Sequence, residues 1–144
     1  MIIQSTAEIS SPVWTVWIGM TSTTFHAQRG GHFSSTWEAN ADISWFGRES
    51  SENFVGKILQ IRQKQYFSFL RYEKIHTDRV AALITCQLKQ KDGLTQVSFS
   101  ADIFLDEDTH TLSQLRAWIH LQLDRLPAIA VKIHIDNPTN FFMA

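Results

Sequence analysis

The stretch 80–105 reads VAALITCQLKQKDGLTQVSFSADIFL and contains two segments in which apolar and polar residues alternate. One apolar row is Val80, Ala82, Ile84, Cys86 and Leu88, and the other is Val97, Phe99, Ala101, Ile103 and Leu105. A period of two is typical of a strand with one buried face. The intervening Lys91-Asp92-Gly93 is a hairpin turn signal. The stretch therefore predicts two antiparallel strands that present apolar rows to one core.

A long helix is predicted directly after this hairpin. Its apolar residues recur at steps of three and four: Leu112, Leu115, Ile119, Leu123, Leu126 and Ala130. The acidic residues 106–108 suit the positive end of a helix, so we expect the helix to run from about His110 to the low 130s. Pro127 removes an amide donor inside it, which predicts a bend near Leu123.

The first half of the chain predicts more strands and one or two short helices. Strands are expected over 2–9, 37–46, 54–61 and 65–73, and both faces of the last two are apolar. Ser11-Pro12 predicts the start of a helix over 13–20, with Ser11 as its cap. A second helix is expected around 22–28, before the breaker Gly30-Gly31.

This order of elements predicts an α+β domain. A curved antiparallel sheet of about six strands would wrap around the C-terminal helix, and a gap between them would form a pocket. The 144 residues favour one domain over 1–144. The apolar tail 137–144 either packs back on the sheet or pairs with a second copy, so a homodimer is possible.

Composition excludes several classes of partner. The formal net charge is −1, which argues against nucleic acid or an anionic membrane held by charge. No run approaches the ~18 apolar residues of a membrane span. Cys86 is the only cysteine, which excludes an internal disulfide and fits a reducing compartment. With no secretory segment at the N-terminus, a cytoplasmic location is expected.

Motifs for metal binding and covalent catalysis are missing from the sequence. Its six histidines form no helical i, i+4 pair, and no HExxH or CxxC spacing occurs, so neither a metal nor another cofactor is expected. Cys86 lies on an apolar strand face, where a thiol is usually inert packing.

Some polar residues remain candidates for acid–base work or binding. The carboxylates Glu38, Asp42 and Asp102 fall on polar strand faces, which favours solvated side chains over catalytic ones. His120, on the long helix, is better placed for a base. Arg29 and His32 flank the glycine pair and either mark a pocket mouth or belong to a plain polar loop.

Five short motifs resemble the START-like (SRPBCC) superfamily in order and spacing. They are Ser11-Pro12 with Val16-Trp17 and Thr21, the strand WEANADISWFG at 37–47, Gly56-Lys57-Ile58, the segment GLTQV at 93–97, and Trp118 in the last helix. The branch they are most similar to is the small bacterial proteins like the activator of the heat-shock-protein ATPase. The resemblance implies a helix-grip fold with a hydrophobic cavity that binds lipids, polyketides or other apolar molecules.

The combined expectation is a carrier or sensor of a small apolar molecule. The expected cavity lining consists of Ile43, Trp45, Ile58, Val97, Phe99, Leu115, Trp118, Ile119 and Leu123. Large side chains that meet in that space would instead form a solid core. Two alternatives stay open: a cyclase, dehydratase or hydrolase that uses the same cavity, and an accessory partner of a chaperone that uses the outer surface.

Overall fold

The computed structural model describes residues 2–73, 79–104 and 109–136. Within them, seven strands form one antiparallel sheet in the order β1-β7-β6-β5-β4-β3-β2. The strands are β1 (Ile2–Ile9), β2 (Gly31–Ser35), β3 (Asp42–Gly47), β4 (Phe54–Arg62), β5 (Tyr66–Tyr72), β6 (Val80–Lys91) and β7 (Leu94–Ile103). The helices are α1 (Val13–Thr21), α2 (His26–Arg29) and α3 (Thr109–Asp136), with a 3-10 turn at Ser50–Glu52.

The β6–β7 hairpin is the longest pairing of the sheet and matches its prediction. Cys86 pairs with Phe99 and Lys91 with Leu94, and both turn residues, Asp92 and Gly93, have positive φ. The first strand then adds to the outer side of β7, where Ile3 pairs with Ala101. Because each strand buries alternate residues, the hairpin presents a single apolar face to α3.

Helix α3 lies on that face and extends beyond the predicted low 130s to Asp136. It is helical through Pro127, so the proline does not end it; the bend near Leu123 stays a prediction. The apolar stripe of α3 is buried: Leu115, Ile119, Leu126 and Ala130 are at most 1% exposed. A curled sheet that holds one long helix is the helix-grip arrangement, and the predicted α+β class is confirmed.

The region between α1 and β4 differs from prediction. The strand expected over 37–46 begins only at Asp42, because Trp37 and Asn40 have φ of 57° and 67°, which an extended strand does not permit. In addition, Gly31 opens the unpredicted strand β2 instead of breaking the chain. A Cβ there would lie 2.5 Å from the carbonyl oxygen of Phe46 and 2.7 Å from Trp45, so the glycine permits a close approach to β3.

The start of α1 also corrects the sequence analysis. Ser11 does not cap the helix: the cap residue is Pro12, and the buried Ser11 hydroxyl has no partner within the described chain. The amide of Val13 instead donates a hydrogen bond to Oε1 of Gln90, on β6, at 3.0 Å. The expected capping residues 106–108 and the apolar tail 137–144 lie outside the described residues.

The inward faces of β4 and β5, which the sequence left open, are now assigned. Phe54, Gly56 and Ile58 point inward from β4. Phe67 and Phe69 are buried on β5, and the next inward position along that strand is Arg71. A cation therefore continues an aromatic row on the concave side of the sheet.

Candidate functional site

All nine residues of the expected cavity lining lie in one apolar core. Seven of them are at most 1% exposed, and Trp118 and Leu123 are 8% exposed. Seven therefore fill the centre of the molecule, while Trp118 and Leu123 reach its margin. That these side chains line a ligand cavity stays a prediction.

Aromatic rings occupy most of the space where the sequence analysis expects a gap. Trp118 meets Trp45, Phe54, Phe99 and Phe33 edge to face, with ring centroids 5.5, 5.6, 5.6 and 5.8 Å apart. Such T-shaped contacts are the favoured geometry of packed rings. The large side chains thus pack against one another in the centre of the described chain.

A cavity of about 170 Å³ lies beside this cluster, between α3 and the β4–β5 part of the sheet. Its walls are mainly apolar and aromatic, with three polar side chains among them. The lining residues are Glu52, Phe54, Arg71, Gln114, Ala117, Trp118 and Leu121. Trp118 is the member of the expected lining that reaches this cavity, because α3 turns its indole toward β4.

Arg71 gives the cavity its electrostatic character. It is 6% exposed, and its guanidinium carbon lies 4.7 Å above the centre of the Phe54 ring. Its partners on the neighbouring strands are Gly56 and Ala82, which are too small to cover it. Burial lowers the pKa of Arg71 to about 10. Arginine remains protonated at neutral pH, so the cavity wall carries a buried positive charge.

Arg29 does not belong to a polar surface loop. It is fully buried, and its Nε and Nη2 donate to Oε1 of Gln122 at 3.0 and 2.6 Å. Its Nη1 donates to the carbonyls of Gly19 and Met20, at the negative end of α1. Burial lowers the pKa of Arg29 to about 9, which the nearby Cys86 opposes. This side chain joins α1, α2 and α3, and it is a structural contact that the sequence analysis missed.

Among the acid–base candidates, none lines the cavity. Glu38 and Asp42 are exposed, and Asp102 is half-buried on β7. His120 is exposed and lines a neighbouring surface groove of about 650 Å³, which shares Ala117 and Leu121 with the cavity. Leu123 of the expected lining also borders that groove. His32 stacks on Phe46 at 5.5 Å, on the outer side of β2.

The described ranges contain neither an accessible thiol nor a cluster of metal-ligating side chains. The Cys86 thiol is fully buried, and desolvation raises its pKa above the ordinary value, which favours the inert thiol. Within 2–73, 79–104 and 109–136, no three His, Cys, Asp or Glu side chains group as metal ligands would. No helix in these ranges has the length and apolarity to span a membrane.

Solved structures share this fold at low sequence identity. The solution structure of the Aha1 dimer from Colwellia psychrerythraea has a TM-score of 0.71 at 14% identity, covering 91% of this chain and 97% of that chain. A crystal structure from Mesorhizobium loti reaches 0.75 at 11%, covering 92% and 98%. CalU16 from Micromonospora echinospora, in solution, reaches 0.70 at 13%, covering 90% and 65%.

These comparisons establish the architecture. No protein-family model and no curated protein matches the sequence. At identities of 11–14%, the structural likenesses show the fold alone. The chain has the helix-grip fold, as the resemblance implied.

Proposed function

We propose that this domain binds a small, largely apolar molecule in the cavity between α3 and β4–β5. The observation that supports the proposal is the juxtaposition of apolar walls from Phe54, Trp118 and Leu121 with few polar groups, which is typical of small-molecule sites. The volume of about 170 Å³ is below the roughly 300–1,000 Å³ of drug-sized sites. A ligand with one or two rings is therefore favoured over a long lipid chain.

Binding is favoured over catalysis by the chemistry of the lining. Its titratable residues are Glu52 and Arg71, whose charged groups lie more than 4.0 Å apart. Arg71 stays protonated and cannot act as a base. Glu52 is exposed, and its Oε1 accepts a hydrogen bond from the amide of Glu49 at 3.2 Å. We therefore propose a carrier or sensor, with a cytoplasmic location, and no assigned reaction.

The test is isothermal titration calorimetry with three aromatic probes: indole, 2-naphthalenemethanol and 2-naphthoate. We expect saturable binding of at least one probe with affinity between roughly millimolar and micromolar. Ala117 is exposed where the cavity meets the groove of His120, so Ala117→Phe places a ring at the mouth of the cavity and should weaken binding there about tenfold.

The matched control is Ala128→Phe. Ala128 is also exposed on α3, and it lies about 16 Å further along the same helix face. This variant should bind the probes like the unmodified protein. No saturable heat from any probe, or equal weakening by both phenylalanine variants, would contradict the proposed site.

A further inference from the structure

We propose that Arg71 binds the carboxylate of a small aromatic acid whose ring system occupies the cavity; this inference rests on the proposed function. The inference defines the ligand by its negative charge as well as by its size. The support comes from the position of the guanidinium, its lack of a partner and the shape of the space beside it.

The position of Arg71 is unusual for a cation. Arg71 follows Phe67 and Phe69 along the inward row of β5, so its side chain starts from the inner face of the sheet, one residue before the strand ends. Gly56 and Ala82, which have little or no side chain, flank it on the two neighbouring strands. The Phe54 ring holds the guanidinium at 4.7 Å, which orients it beside the cavity.

Within the described residues, the guanidinium of Arg71 has no hydrogen-bond acceptor and no carboxylate within 4.0 Å. A buried charge is costly unless it is paired and hydrogen-bonded. The other buried guanidinium, that of Arg29, donates hydrogen bonds to Gln122 and to two backbone carbonyls. The contrast indicates that the partner of Arg71 comes from outside the chain: solvent in the free protein, and a ligand group when the cavity is occupied.

A carboxylate fits this site better than a phosphate. The planar guanidinium matches a carboxylate with two parallel N–H···O bonds, and one buried cation balances one negative charge. The amide of Gln114 lies in the same lining and is available to a further oxygen. The aromatic walls at Phe54 and Trp118 suit a flat ring attached to the carboxylate. Glu52 is the acidic side chain of the lining, and at the exposed mouth solvent screens its repulsion.

The experiment compares 2-naphthoate with 2-naphthalenemethanol, which has the same rings and no charge, by calorimetry at pH 7.5. In the unmodified protein the acid should bind at least about tenfold more tightly than the alcohol. In Arg71→Met, the two affinities should agree within about twofold. Methionine keeps an unbranched apolar stem and removes a buried charge, so this variant is expected to fold. Glu52→Gln, which keeps Oε1, should leave the preference for the acid intact or increase it.

The outcomes separate the two proposals. If both probes bind equally to the unmodified protein, or if the preference for the acid persists in Arg71→Met, Arg71 does not recognise an anion and this inference is overturned, while the proposed function stands. If neither naphthalene probe binds while indole does, this inference is overturned and the proposed function stands; if indole does not bind either, both fail. If Arg71→Met does not fold, Arg71→Gln serves the same comparison. The ratio of the two probe affinities in the unmodified protein needs no variant, and it shows by itself whether the acid is preferred.

Discussion

Arg29 and Gln122 are joined through a single oxygen: Nε and Nη2 of the guanidinium both donate to Oε1 of Gln122, at 3.0 and 2.6 Å. Both residues are fully buried and lie 93 positions apart in the chain. The guanidinium also lies 5.3 Å from the Trp45 ring centre. This contact fixes α3 against the short helices, and it therefore sets the position of Trp118, one turn before Gln122, at the cavity.

Gln122→Leu tests this contact. The change removes the acceptor of two guanidinium donors and leaves a buried cation partly unpaired, so the free energy of unfolding should fall by about 2–3 kcal/mol. Urea denaturation measures it. Gln114→Leu, on the same helix and without a hydrogen bond to Arg29, should change stability by about 0.5 kcal/mol or less. Equal stability of the two variants would show that the contact contributes nothing.

Gly56→Ala tests the close approach of β4 and β5 beneath Arg71. A Cβ on Gly56 would lie 1.9 Å from the carbonyl oxygen of Leu70, so the two strands must separate. We expect a loss of about 3 kcal/mol or more. Gly93→Ala is the control: nothing lies within 4 Å of its Cβ, and its φ of 80° alone should cost about 1 kcal/mol. The close-approach explanation fails if Gly56→Ala is the milder change.

Cys86 should be unreactive in the folded protein. It is fully buried and its pKa is raised by desolvation, so little thiolate is present and no reagent reaches it. Labelling with a thiol-specific disulfide reagent at pH 8 should be slow in buffer. It should be stoichiometric in about 8 M urea, which unfolds most small domains. Rapid labelling in buffer would mean that the core around Cys86 opens readily.

Chelation should leave stability unchanged. Within the described ranges no cluster of metal ligands exists, and a bound metal would add stability that its removal takes away. Dialysis against a strong chelator should therefore keep the melting temperature within experimental error of the untreated sample. A fall of more than a few degrees would reveal a site that the sequence and the structure both miss.

The β6–β7 hairpin and helix α3 were predictable, because each of these elements buries one face and therefore shows a clear spacing of apolar residues. Strand β2 was not, because Gly30-Gly31 is a typical break signal. The reason for glycine at position 31 is contact with Phe46 and Trp45, which are distant in the sequence. The local pattern of apolar residues indicates which side of a helix or strand is buried. It does not indicate where two strand backbones approach each other closely.

The candidate site was predictable only in part. Alternation places the nine expected residues inward, but it does not distinguish interlocked rings from an empty space. The sequence YFSFLRY at 66–72 does contain the signal for Arg71, since it shares the period of Phe67 and Phe69. That Gly56 and Ala82 flank it depends on register across three strands. The pairing register shifts between Ile58 and Gln60 on β4 and between Arg71 and Tyr72 on β5. Such irregularities in strand pairing cannot be predicted from the alternation of apolar residues.

The location of a bound ligand tests the central claim most directly. In a ¹H–¹⁵N correlation spectrum titrated with 2-naphthoate, we expect the largest saturable shifts at the Trp118 indole N–H and at the amides of Phe54, Arg71 and Gln114, all of which line the cavity. Shifts confined to Ser5, Thr6 and His120, which line the neighbouring groove and not the cavity, would contradict a ligand site between α3 and β4–β5. The absence of saturable shifts would contradict it as well.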